Sequence, residues 1–160
     1  MEIREIRQEE DMRRSVQVIR QAFLTVAGEF GLTRENAPTN AAFMKQEDFA
    51  RLCKSNVSLF GMYEATEQVG FFMVEAKENS TYYLNKLAVL PSCRHKGYGK
   101  KALEYVFELV REKGGGRISI GIIDENERLK RWYEQYGFVT NVVKSLPHLS
   151  FQVCLMVKDI

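Results

Sequence analysis

Three scarcities narrow the reading of this chain before any pattern is traced. With two histidines, His95 and His148, and three cysteines, Cys53, Cys93 and Cys154, all far apart, there is no C-x-x-C pair and no zinc-ligand spacing, so no metal is expected. An odd, scattered set of cysteines also gives no disulfide framework, and a reduced, cytoplasmic setting is the expectation. No apolar run approaches the ~20 residues that span a bilayer. The first residues, MEIREIRQEEDMRR, are charged from the second position and contain no apolar h-region, so no secretory signal is expected. Excess charge of one sign is lacking too. The balance of 23 basic against 21 acidic residues leaves +2, too little to imply a nucleic acid or an anionic membrane as partner.

What remains is the composition of an ordinary globular chain. At 160 residues and 45% hydrophobic content it is long enough for one domain, residues 1–160, around one substantial core. EIREIR (2–7) reads as a short strand. EEDMRRSVQVIRQAF then spaces Met12, Val16, Ile19 and Phe23 three or four apart, as on one helix face. GEFGLTRENAPTN (28–40) reads as a loop, and FMKQEDFARLC (43–53) returns to helical spacing. The period then shortens. VSLFGMYEA (57–65) and QVGFFMVEAKE (68–78) read as strands of a hairpin, and STYYLNKLAVLP (80–91) as a third strand stopped by Pro91. KALEYVFELVREK (101–113) is an amphipathic helix closed by GGG; RISIGIID (117–124) is a strand; ENERLKRWYEQY (125–136) is another amphipathic helix. FVTNVVK (138–144) and SFQVCLMVKD (150–159) complete the chain as two strands.

The order β-α-α-β-β-β-α-β-α-β-β predicts a mixed α/β fold, with an antiparallel meander followed by one parallel crossover. The final apolar strand, FQVCLMV, is also one that can pair across a homodimer.

RHKGYGKKA (94–102) lies between a strand and a helix. Glycines that free backbone N–H groups at a helix start, ringed by cations, fit phosphate. A Walker A loop is excluded, because Gly99-Lys100 is followed by Lys101 and position 94 is Arg. A dinucleotide fingerprint fits Gly97, Gly99 and Ala102 literally, and Asp124 ends the next strand. PSCRHK nevertheless intervenes after the preceding strand, and no second strand–helix unit follows. A plain helix cap with solvated lysines is the third possibility.

A fourth reading takes in more of the chain. Arg94-His95-Lys96-Gly97-Tyr98-Gly99 matches the R/Q-x-x-G-x-G/A signature of the GNAT acetyltransferase superfamily, directly after the strand LNKLAVLP. NERLKRWYEQYGF, with Asn126, Tyr133, Gly137 and Phe138, is similar to the family's second signature. The sequence therefore resembles this superfamily, strongly over residues 84–138 and by element order elsewhere. The resemblance implies the GNAT fold, a mostly antiparallel sheet of about seven strands with about four helices. It implies acetyl-CoA as co-substrate and an amine-bearing acceptor, attacked directly through a tetrahedral intermediate. It further implies cofactor contacts from Leu87, Ala88 and Val89 on the strand, from Arg94, His95, Lys96, Gly97, Tyr98, Gly99 and Lys100 in the loop, and from Asn126. Tyr133 takes the part of general acid. Asn126 and Tyr133, seven residues apart, lie about two helical turns from one another and so nearly on one face. No dedicated base stands out among Glu64, Glu75, Tyr83 and Asn85, and water-mediated deprotonation of the amine is expected. Acceptor choice is expected from residues 29–43 and from the loop holding His148. A non-catalytic acyl-CoA-binding module and a dinucleotide-binding protein are the readings from other classes.

Overall fold

A computed structural model describes residues 1–160. In chain order the elements are β1 (Glu2–Glu5), α1 (Glu9–Glu29), a 3-10 turn (Ala41–Phe43), α2 (Gln46–Ala50), β2 (Val57–Glu64), β3 (Glu67–Ala76) and β4 (Thr81–Val89). A second 3-10 turn (Pro91–Cys93), α3 (Tyr98–Glu112), β5 (Arg117–Ile123), α4 (Glu127–Glu134), β6 (Val139–Ser145) and β7 (Gln152–Asp159) follow. The expected succession of strands and helices is therefore present.

Two helices differ in extent from the expectation. α1 runs past Phe23 to Glu29 and stops at Gly31, whose φ of +62° lets the Leu32 N–H turn back onto the Ala27 carbonyl at 2.8 Å. The stretch 43–53 does not form one helix. Asn40 caps the turn at Ala41–Phe43 by accepting from the Ala42 N–H at 2.9 Å, and the chain then restarts as the one-turn α2. Phe49 still reaches the core.

All seven strands join one sheet, in the order β1-β2-β3-β4-β5-β7-β6. Every neighbouring pair is antiparallel except β4 and β5. With this single parallel pair the second half of a dinucleotide site does not form, and Asp124 is bound by Lys130 Nζ at 2.8 Å instead. The last strand is not an edge able to pair across a homodimer. β7 lies between β5 and β6 and is hydrogen-bonded on both sides, because the β6–β7 hairpin folds its second strand into the gap beside β5. β6 is left as the free edge.

Strand alternation divides the core between the two faces of the sheet. Leu59, Phe71, Met73 and Ala88 meet Ile19 of α1 and Phe49 of α2 on one face. Phe60, Phe72 and Leu84 meet Leu103, Val106 and Val110 of α3 on the other. Phe71 and Phe72, neighbours in sequence and both fully buried, point to opposite layers. Phe72 stacks on Phe60 with ring centroids 5.1 Å apart. Phe72→Ala is expected to cost about 3–5 kcal/mol, measured by urea unfolding. A loss under about 1 kcal/mol would show that α3 does not close a continuous core over this face.

Candidate active site

β4 and β5 pair over only three positions: Thr81 with Arg117, Tyr82 with Ile118, Tyr83 with Ser119. Beyond them β5 stays with β7 as far as Ile123, and β4 stays with β3 as far as Val89. The two strands diverge, and the edge of β4 that carries Leu87, Ala88 and Val89 has no sheet partner on the β5 side. On its other side β4 is bulged. Phe71 faces Ala88 while Met73 faces Asn85, so β4 holds one more residue than β3 across this span. Lys86 sits there with a left-handed φ of +52°.

The chain leaves β4 through Pro91–Cys93 into the glycine loop. His95 and Gly97 have φ of +62° and +81°, and α3 begins at Tyr98. The backbone N–H groups of His95, Lys96, Gly97, Tyr98, Gly99 and Lys100 find no acceptor in the chain; the first to be bonded is that of Lys101, to the Gly97 carbonyl. This unbroken run of donors lies at the positive end of the α3 macrodipole, the arrangement that takes an anionic oxygen group. A Cβ placed on Gly97 would meet nothing within 4 Å, so the concave side of the loop is open. Gly99 has another reason to be glycine. A Cβ there would come within 3.1 Å of Trp132 Cζ2, so its absence lets the first turn of α3 rest on the indole of α4.

The side chains of the loop divide the work. Arg94 reaches away from the cradle: its Nη2 donates to the Ala22 carbonyl at 2.8 Å and to Thr25 Oγ1 at 2.9 Å, and its Nε to the Val89 carbonyl at 3.3 Å. Arg94 therefore clamps the loop to α1 and to the end of β4. Burial, with Arg128 nearby, lowers its pKa from the usual arginine value. Lys96 and Lys100 lie exposed, 3.6 Å from Glu64 and 3.7 Å from Glu104, pairs loose enough to release either cation to a ligand. His95 is exposed at the rim and Tyr98 is packed against the core.

Asn126 caps α4, its Oδ1 accepting from the Leu129 N–H at 3.1 Å. The residue is buried, and its Nδ2 donates to nothing in the chain. Tyr133, two turns on, is buried edge-on between Trp132 and Phe138, with ring centroids at 4.8 and 5.4 Å. Burial raises its pKa well above the ordinary phenol value. Glu75 is occupied by Lys77 at 2.7 Å and Asn56 at 3.4 Å. His148 lies exposed in the β6–β7 connection. The two segments expected to choose the acceptor do meet: Leu32, Ala37 and Ala42 pack with Ile123 and Phe151 at the open end of the β4–β5 gap.

Lys86 was not among the expected site residues. It lines a cavity of about 270 Å³ with Asn40, Phe43, Asp48, Arg51 and Leu52. Its signal in the sequence was faint: Asn85-Lys86 interrupts the alternation of YYLNKLAV, which is how a bulge reads.

The model of the acetyltransferase (GNAT) family matches residues 22–138, and the chain belongs to this family. It is an acetyltransferase. Solved structures share the fold. The ribosomal-protein-S18-alanine N-acetyltransferase from Escherichia coli is 15% identical over 99% of this chain and 93% of its own, with a TM-score of 0.78. The PaiA N-acetyltransferase from Thermoplasma acidophilum, solved in complex with coenzyme A, is 17% identical over 100% of both chains, with a TM-score of 0.77. An aminoglycoside 6'-N-acetyltransferase complexed with coenzyme A is 16% identical over 99% of this chain and 97% of its own, with a TM-score of 0.74. No helix of this chain is long and apolar enough to cross a membrane.

The Arg94 geometry separates charge from clamping. Arg94→Lys keeps the cation but loses the planar fork that reaches three acceptors. It is expected to lower stability by about 1–3 kcal/mol, nearly as much as Arg94→Ala, in denaturant titrations. Full stability and unaltered coenzyme A affinity in Arg94→Lys, with loss only in Arg94→Ala, would assign the residue to charge instead.

Proposed function

We propose that this acetyltransferase moves an acetyl group from acetyl-CoA to a primary amine by direct attack of the amine on the thioester. The observation that carries the reading is the run of unbonded N–H groups from His95 to Lys100, which opens at Gly97 directly beyond the unpaired edge of β4. Acetyl-CoA supplies the reactive thioester and a pyrophosphate that fits this run of donors. The loop N–H groups, aided by Lys96 and Lys100, hold the pyrophosphate. The edge at Leu87, Ala88 and Val89 hydrogen-bonds the extended arm, and one of its N–H groups polarises the carbonyl under attack. Asn126 offers its unused Nδ2 to the same ligand.

Tyr133 is the proton donor to the departing sulfur. Its dry surroundings destabilise phenolate, and they destabilise a thiolate beside it as well. The proton therefore moves between two groups that both resist ionisation. Glu75 is held by Lys77 and Asn56, which supports water rather than this carboxylate as the route for the amine's proton.

Calorimetric titration with acetyl-CoA, with NADH as comparison ligand, tests the cofactor. Micromolar binding of acetyl-CoA is expected, weakened at least about a hundredfold by Gly97→Glu, which sets a carboxylate in the cradle. Binding of NADH without acetyl-CoA would overturn the reading. Tyr133→Phe is expected to lower kcat by about 10²–10⁴ and to leave acetyl-CoA affinity unchanged. Because burial raises the Tyr133 pKa, the phenol keeps its proton throughout the working range. The rate is therefore expected to rise with pH as the amine deprotonates and to hold level to about pH 10, the ordinary tyrosine value. A fall above about pH 8 that persists in Tyr133→Phe, with kcat otherwise unchanged, would assign the proton donor to another group.

A further inference from the structure

The cavity of about 270 Å³ at the β4 bulge is small for a ligand site, and its polar lining is one-sided. Its single carboxylate, Asp48, is engaged at both oxygens: Oδ1 by Arg51 Nη1 at 3.3 Å and Oδ2 by the Lys45 N–H at 2.9 Å. Asn40 has given its oxygen to the Ala42 N–H at 2.9 Å, so only its Nδ2 is uncommitted. Arg51 keeps its remaining N–H groups free. The Lys86 ammonium makes no hydrogen bond or ion pair within the chain. Glu75, whose charge it feels most, is already held by Lys77 at 2.7 Å. Every uncommitted charged or amide group facing this cavity is thus a donor, and two of the donors are cations.

The position of the cavity is equally informative. Lys86 stands two residues before Ala88, at most about 7 Å along the strand on a 3.3 Å rise. Phe43 and Leu52 supply an apolar wall. Lys86 is also held in a left-handed conformation that side chains avoid, the kind of backbone strain that collects at binding sites.

We propose that this cavity holds a carboxylate of the acceptor on Lys86 and Arg51, with Asn40 as a third donor, so that the substrates are carboxylate-bearing primary amines of amino-acid size. The inference rests on the acetyl-transfer reading above and adds the acceptor class to it. Burial lowers the Lys86 pKa from the ordinary lysine value, and a bound carboxylate reverses that shift by supplying the missing partner. An amine attached to the carboxylate through a few bonds then lies beside the unpaired stretch of β4.

The test is ligand-observed NMR with a panel of amino acids and their N-acetyl products, each beside its carboxamide, followed by turnover of the free amines with acetyl-CoA read as thiol release. At least one carboxylate is expected to bind wild type at least tenfold more tightly than its carboxamide, and the same preference is expected in KM. Lys86→Gly relieves the left-handed φ and so is expected to keep the fold. It should abolish the preference while acetyl-CoA affinity, measured by calorimetry on the same sample, stays unchanged. Arg51→Gln, a change at the surface, should reduce the preference several-fold. No carboxylate binding above its carboxamide, or a preference that survives Lys86→Gly, overturns the proposal. Loss of acetyl-CoA binding in the wild type would instead sink the acetyl-transfer reading itself.

Discussion

The parallel pairing between β4 and β5 stops after three residues, and the site follows from that stop. At its closed end the pairing is fixed by the glycine turn after α3. The Gly116 N–H donates to the Ser80 carbonyl, and the Ile160 N–H to the Gly116 carbonyl. A Cβ on Gly115 would stand 2.5 Å from Val110 Cγ1 and 2.6 Å from Tyr82 Cε2, so helix, turn and strand close tightly only without a side chain there. From this pinned end the strands part. β5 continues against β7 and β4 against β3, and each keeps its ladder on one side only. The exposed edge of β4 then carries polar groups that the chain does not satisfy, and they go to water or to a ligand. The layers of Ile120, Ile122 and Leu84 beneath keep the gap backed by apolar side chains.

The glycine loop repeats that logic on a smaller scale. It leaves a run of consecutive N–H groups without acceptors in the chain. A loop so poor in internal bonds would be mobile, and Arg94 counters this by tying it to α1 through Ala22 and Thr25. Helix α1 is therefore part of the frame that holds the loop. Left-handed backbone is concentrated here as well, with Lys86, His95 and Gly97 all at positive φ within a short span. Each costs conformational energy, about 1–2 kcal/mol for a residue with a side chain, and the surrounding sheet and helices hold it in place.

Much of this was legible in the sequence because it depends on local pattern. Apolar, aromatic-rich runs between turn signals point to the β2–β3–β4 meander, the spacing of Leu103, Val106 and Val110 to α3, and the loop glycines to the helix start. Long-range choices were hidden. Nothing in FQVCLMV tells that β7 enters the sheet between β5 and β6, since an interior strand and an apolar edge strand read alike. Arg94 looked like a phosphate-facing cation because its partners at Ala22 and Thr25 lie some seventy positions away in the chain. The setting of Lys86 is hidden for a related reason: it depends on a bulge set by the register with β3, and on a cavity wall supplied by α2. The family signature points to the glycine loop and α4, but it carries no information on what a side chain outside the signature does.

Trp132 shows how closely the two halves of the site are joined. Its indole lies under Gly99, against the first turn of α3, and meets Tyr133 edge-on at 4.8 Å and Tyr136 at 5.1 Å. Interiors packed at this density pass displacement along rather than absorbing it. A group added at Gly99 pushes the indole, and the indole is in contact with the Tyr133 ring. Gly97, two residues away, faces open space, and a side chain there strains the left-handed loop rather than displacing the indole. Two glycines of one signature thus answer to different constraints: Gly97 to the left-handed turn of the loop, Gly99 to the packing of α3 on the indole of α4.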